Sequence, residues 1–249
     1  MAPDPAIRWI CVRSRGLDVE FRLPTPAPAR IARRALVLAA LACRGELEAH
    51  AADADARAID ATVRGWLVES GLLEAFEAPE RLLLDPPLGA LGTVDAAVAT
   101  AFGEGAAVLA WSLGRCTLPA IDVDADASAV AATLGWLDPE VGPALEAARL
   151  RPRTDLLLLA EALEVAHWRL ADGRAASLAQ FAPGRVHVAA DAAPLPLAPN
   201  GELLIGGVPL AEVSDAARSA AVRRIRERRR ALNWLLGQAA DYASLRVDV

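Results

Sequence analysis

Between positions 223 and 237 the chain carries six arginines and one glutamate, then Ala231, Leu232, Asn233, Trp234 and Leu235. At about 100° per residue, Val222, Ile225, Leu232 and Leu236 share one face, so the stretch reads as a helix. Arg226, Arg229 and Asn233 fall inside the same arc. Such a helix enters a core only where each buried guanidinium meets a carboxylate or carbonyl and the buried amide has its donors and acceptors met. The rest of the fold must therefore bring acids to the inward face of this last helix. Arg223, Arg224, Arg228 and Arg230 lie largely off that arc and are expected to face solvent.

The 249 residues suit one large domain or two small ones. With 54% hydrophobic residues, only 4% aromatic, and alanine and leucine dominant, packed helices are favoured over a sandwich or barrel. Lysine is absent, so neither a Schiff-base lysine nor a complete P-loop is possible. A net charge of −6 and the lack of aromatics within the arginine run argue against a nucleic-acid partner. Cys11, Cys43 and Cys116 are odd in number, far apart and set among apolar residues, which reads as reduced intracellular thiols rather than disulfides or a zinc site.

No secretory signal is expected in the first 28 residues, which carry acids, arginines and several prolines. Arg33-Arg34 followed by an apolar run imitates a signal, but the run is too short for a bilayer, which takes about 20 apolar residues. A buried core helix, with no membrane role, is the expectation.

In chain order, residues 7–12 form a short apolar run, strand or lead-in, and 23–29 a proline-rich linker. Residues 30–44 predict a helix that is apolar nearly all round, with Gly45 as its stop. An alanine-rich acidic helix or extension follows to about 58. Val63, Trp66 and Leu67 then mark a helix ended by Gly71, and 79–84 a short one before Asp85-Pro86-Pro87. Residues 93–113 predict a long helix with Val94, Val98, Ala101, Val108 and Leu109 as its buried stripe. Asp122, Asp124 and Asp126 alternate like a calcium loop, but Ala127 and Thr133 occupy its glycine and glutamate positions, so helix capping is the better reading. Helices are expected over 139–149 and 154–171. On the latter, Glu164 is placed to orient His167 beside Trp168, and Thr154 and Asp172-Gly173 mark the ends. Asn200-Gly201 and Gly206-Gly207 predict a small β-hairpin near 201–210. The fold class is thus mainly α, an orthogonal or bundle-like set of helices in one domain over 30–249, preceded by a lead-in and linker over 1–29.

No reaction motif emerges. His50, His167 and His187 lack metal-ligand spacing, the glycines form no phosphate cradle, and Ser177, Ser214 and Ser219 sit in no nucleophile elbow. No cofactor and no metal are expected. The residues able to form an internal polar constellation are Arg34, Arg44, Glu48, Glu104, Trp111, Trp168, Arg169, Glu227, Arg229, Asn233 and Trp234. Read as structure, they are ion pairs that hold helices in register, with tryptophans filling the core. Read as a site, they are a tryptophan-walled pocket for a small anionic or polar ligand.

Three blocks together resemble the bacterial family named domain of unknown function 4272. They are Arg34-Ala35-Leu36 through Gly45-Glu46-Leu47-Glu48; Glu104 through Trp111-Ser112-Leu113-Gly114 to Leu118-Pro119; and the Gly201 to Leu210 hairpin followed by Glu227-Arg228-Arg229-Arg230-Ala231-Leu232-Asn233-Trp234-Leu235, down to Val247-Asp248-Val249. The resemblance spans about residues 30–249. It implies a mainly helical, intracellular protein and no established activity. Where the family's closing block commonly has a histidine after Glu-Arg, this chain has Arg229, which stays protonated and weighs against acid–base or metal chemistry there. The expected role is a cytoplasmic, non-enzymatic one of binding or interaction with a protein partner. The alternative is an enzyme or small-ligand binder built on the constellation.

Overall fold

The computed structural model describes residues 23–172, 192, 195–199 and 202–245. The run at 7–12, Cys11, Gly173, Ser177, His187, the Asn200-Gly201 turn and Val247-Asp248-Val249 lie outside the described residues. Among those described are eight α-helices: α1 Pro28–Glu48, α2 Ala54–Glu69, α3 Ala78–Leu84, α4 Thr93–Ser112, α5 Ala127–Ala132, α6 Val141–Glu146, α7 Arg153–Asp172 and α8 Asp215–Leu235. A two-stranded antiparallel hairpin, β1 Leu204–Ile205 and β2 Val208–Pro209, completes the mainly α fold. Gly206 and Gly207 turn it with φ of 60° and 78°, values that glycine adopts without a Cβ clash.

The core is built on α1, α4 and α8. Pro28 starts α1, where a missing N–H costs nothing. From Ile31 to Leu41 nearly every residue of α1 is buried, as its apolar circumference predicts. Gly45, however, does not end this helix, which runs on to Glu48. Its missing side chain serves packing instead. A Cβ there would meet the Thr100 amide and stand 2.6 Å from the Ala96 carbonyl oxygen, so the α1 and α4 backbones cross in contact at this point.

The long helix α4 has the length and apolarity of a membrane span, yet residues 102–112 are all buried among the other helices. Its expected stripe is half right. Val108 and Leu109 are fully buried, but Val94 is 74% and Val98 37% exposed, because the first two turns of α4 reach beyond the elements that cover the rest.

In α8 the buried face also departs from expectation. Ala221, Ile225, Ala231, Leu232, Trp234 and Leu235 are buried, and with them Arg224, Glu227 and Arg228, whereas Arg226, Arg229 and Asn233 are half-buried. The large Trp234 and the small Ala221 and Ala231 rotate the inward face away from Val222 and toward the two arginines expected in solvent. Ser214 caps α8 by accepting from Ala217 N at 3.3 Å. Asp126 does the same for α5 at 2.9 Å from Ala129 N. Along α7, Leu156, Leu159, Leu163 and Leu170 are buried and Ala160 half-buried.

Two helical glycines give opposite expectations. Gly45→Ala forces backbone atoms apart and should lower stability by about 2–3 kcal/mol or more. Gly65→Ala on α2, where a Cβ meets nothing within 4 Å, should raise it by up to about 1 kcal/mol. Urea denaturation of both variants checks the pair.

Candidate functional site: the buried charge clusters

Glu104 lies midway along α4, in its most apolar stretch, and is 6% exposed. Burying a carboxylate there requires a partner. Arg228, completely buried on α8, supplies it through Nε to Glu104 Oε2 at 2.7 Å, and the Ala125 amide donates to Oε1 at 2.8 Å. The other Arg228 nitrogens donate to the carbonyls of Pro119 and Ala120 at 2.8 and 3.1 Å and of Val123 at 2.9 Å. Arg224, one turn earlier, donates to Asp124 Oδ1 through Nε at 2.8 Å and to the Ile121 carbonyl at 3.2 Å. Residues 119–125 thus pass over the core with little regular structure, and two guanidiniums receive the carbonyls they leave unpaired. Burial pulls Arg228 below its ordinary pKa, and Glu104 opposes that shift. The three alternating aspartates serve three separate ends. Asp122 accepts from Gly206 N at 3.0 Å, Asp124 pairs with Arg224, and Asp126 caps α5.

A second cluster joins α1, α3 and the segment after α8. Arg34 Nη1 donates to both oxygens of buried Glu80 at 2.7 and 2.6 Å, while Nη2 donates to Glu77 at 2.7 Å and to the Ala75 carbonyl at 3.0 Å. Glu77 also accepts the amides of Tyr242 and Ala243 at 2.8 and 2.6 Å. The Tyr242 ring lies 5.8 Å from the Arg34 guanidinium carbon and 6.0 Å from the Trp234 ring, which the Arg30 guanidinium carbon also approaches at 5.3 Å. Tyr242 fits because residue 105 is glycine, where any Cβ would strike its hydroxyl. Burial raises the Tyr242 hydroxyl well above its ordinary pKa, and it raises Glu80 and Glu227 as well. Arg230, at 3.0 Å from Glu227, and Arg226 offset part of that rise.

The remaining expected residues sit in smaller locks. Arg44 and Glu48 pair at the end of α1; Arg44 donates to the Pro87 carbonyl at 3.0 Å and Glu48 accepts from Leu91 N at 2.6 Å. Arg229 pairs with Glu164, joining α8 to α7. Trp111 is buried, with the Arg151 guanidinium carbon 5.1 Å from its ring centroid. On α7, His167 and Arg169 are buried and Trp168 is half-buried. The expected set is therefore distributed: Arg44 meets Glu48, Arg34 reaches Trp234 through Tyr242, and Glu104 meets arginines outside the set. Sequence reading missed Arg224, Arg228, Glu77, Glu80 and Tyr242. A lone acid in the middle of the most apolar helix was the signal for a buried arginine elsewhere.

Two arrangements bear on chemistry. Cys43 is pushed up to about 11 by burial, with Glu46 and Asp60 adding, so it stays a thiol at neutral pH and makes a poor nucleophile. Among the described residues no group of histidines, cysteines and acids is placed to hold a metal ion.

The model of the family described as domain of unknown function (DUF4272) matches residues 18–189, well over half of the chain. The chain belongs to this family. The match takes in the blocks beginning at Arg34 and Glu104, while the closing block of α8 lies beyond it. No curated protein and no solved structure matches the chain.

Removing one partner of a buried pair strands the other. Glu104→Gln should lower stability by about 3–5 kcal/mol, whereas Arg229→Ala, whose partner Glu164 is 40% exposed at its side chain, should lose less than about 1 kcal/mol. Chemical denaturation at neutral pH separates the two. Glu227 has a raised pKa in the fold, so its contribution is fully present below the ordinary value of 4.5 and is lost as pH rises through the raised value. Glu227→Gln should therefore gain stability relative to wild type as pH rises above 4.5, by at most about 1.4 kcal/mol per pH unit. Urea titrations from acidic to neutral pH read this slope.

Proposed function

We propose that this member of the DUF4272 family is a non-enzymatic interaction protein that works in the cytoplasm through a surface of α4. The observation that carries the reading is the exposed ridge at the start of that helix. Val94 and Val98, four residues apart and so on one face, are 74% and 37% exposed, and Thr93, Asp95, Ala97 and Thr100 around them are exposed too. An apolar strip rimmed by short polar side chains is what an apolar face of a protein partner covers. The charged clusters support the same reading from the other side. Glu104, Arg228, Arg34 and Glu80 have their hydrogen bonds taken up by groups of the fold itself, which leaves them little to offer a substrate. The Cys43 thiol, which forms no disulfide, suits a reducing compartment.

A photo-crosslinking amino acid at position 97, introduced in cells, tests the proposal. A discrete protein adduct that disappears in Val94→Asp/Val98→Asp is expected. The double variant should retain wild-type stability within about 0.5 kcal/mol per site, because both side chains are exposed. No adduct, or one indifferent to the two substitutions, would remove the α4 ridge as the working surface.

A further inference from the structure

The charged clusters are closed, but one groove is not. Between α1, α6 and the chain following α4 and α5 lies a cavity of about 50 Å³, with Ala32, Leu113, Leu134 and Leu145 in its wall. Arg115 and Thr133 also line it. The three leucines are each 4–6% exposed and form an apolar inner wall, whereas Arg115 is exposed.

Arg115 differs from the arginines described above. Among the described residues its guanidinium has no carboxylate or carbonyl partner, while nearby Arg33 is neutralised by Glu146 at 2.5 Å. A second exposed arginine without a partner among the described residues, Arg149, directly follows the lining residue Ala148. The backbone that follows the lining residue Leu134 is held in an uncommon shape. Gly135, which lines the groove, has φ of 84°, and Leu137 has φ of 61°, a left-handed conformation that disfavours a side chain by about 1–2 kcal/mol. Trp66 holds this turn by donating from Nε1 to the Asp138 carbonyl at 2.9 Å and by packing on Trp136 at 5.0 Å. Strain retained by surrounding structure beside a cavity is a feature of ligand clamps.

We propose that this groove binds a small monocarboxylate with a short aliphatic tail, the tail among Leu113, Leu134 and Leu145 and the carboxylate on Arg115. An apolar slot with one cationic group at its rim selects that class. A bare anion gains nothing from the leucines, and a neutral isostere gains nothing from the guanidinium. The small volume restricts the tail to a few carbons. All of the lining residues fall within the span 18–189 matched by the family model. The site is separate from the α4 ridge, and Val94→Asp should leave it unaffected.

Butyrate, butyramide and sulfate serve as probes, with amide chemical shifts and tryptophan fluorescence as readouts on the full chain. Butyrate is expected to shift the amides of residues 113–115 and 133–135 and to bind at least tenfold more tightly than butyramide or sulfate. Arg115→Gln, at an exposed position that leaves the fold intact, should weaken butyrate at least tenfold while leaving butyramide unchanged. Ala144→Trp, also at an exposed position lining the groove, should abolish butyrate binding with Arg115 still present. Sulfate binding as tightly as butyrate, shifts confined to other residues, butyrate indifferent to Arg115→Gln, or no binding at all would each overturn the proposal.

Discussion

Glu104 sits where a helix buried on all sides passes through the middle of the protein, and an isolated carboxylate there would be untenable. Its partner Arg228 is itself completely buried, so neither ion is tolerable without the other. The dependence spreads outward from this pair. Arg228 has donors left after Glu104, and these gather the carbonyls of residues 119–123. The same stretch then presents Asp124 to Arg224 and Asp122 to the turn of the hairpin. One ion pair thereby fixes the rotation of α8 against α4, the path of an irregular segment, and the attachment of β1 and β2.

Close backbone approach is the second constraint. Gly45 allows α1 and α4 to touch, and Gly105 leaves space for Tyr242, which in turn brings the chain after α8 back to Glu77 on the edge of α3. Gly237, with φ of 82°, turns the chain after α8 so that its carbonyl accepts from Leu23 N at 3.1 Å. The proline-rich linker before α1 is thus anchored to the far end of the polypeptide. These contacts join backbone to ring, to carboxylate or to backbone, so hydrophobic periodicity carries no trace of them.

Much of the architecture could be read from the sequence for definite reasons. The uniform apolarity of residues 30–44 required a buried helix, the Val63, Trp66 and Leu67 spacing fixed α2, and paired glycines at 206 and 207 fixed the hairpin. The errors also have physical causes. Gly45 reads as a helix stop because glycine favours left-handed caps, but a helical glycine can equally be a contact point. Val94 and Val98 match the period of a buried stripe, yet periodicity says nothing about whether a covering element extends that far. The inward face of α8 was misplaced because arginine counts as polar in any pattern, although Arg224 and Arg228 are buried by the partners that await them. The candidate cluster was legible as a list of residue types. Its division into separate locks depended on pairings distant in sequence.

The helices do not share equally in these ties. α2 contributes Ala56, Val63, Trp66 and Leu67 to the core and leaves most of its other residues at the surface, with Arg64 reaching the Pro86 carbonyl at 3.0 Å. Its attachment to the rest is an edge, not an enclosure. In amide hydrogen exchange such an element is expected to open as its own cooperative unit, while α1, α4 and α8, joined by Glu104 and Gly45, are expected to exchange only on global unfolding. Since Trp66 on α2 also holds the turn carrying Asp138, release of that one helix would loosen the wall of the Arg115 groove while the central helices stayed intact.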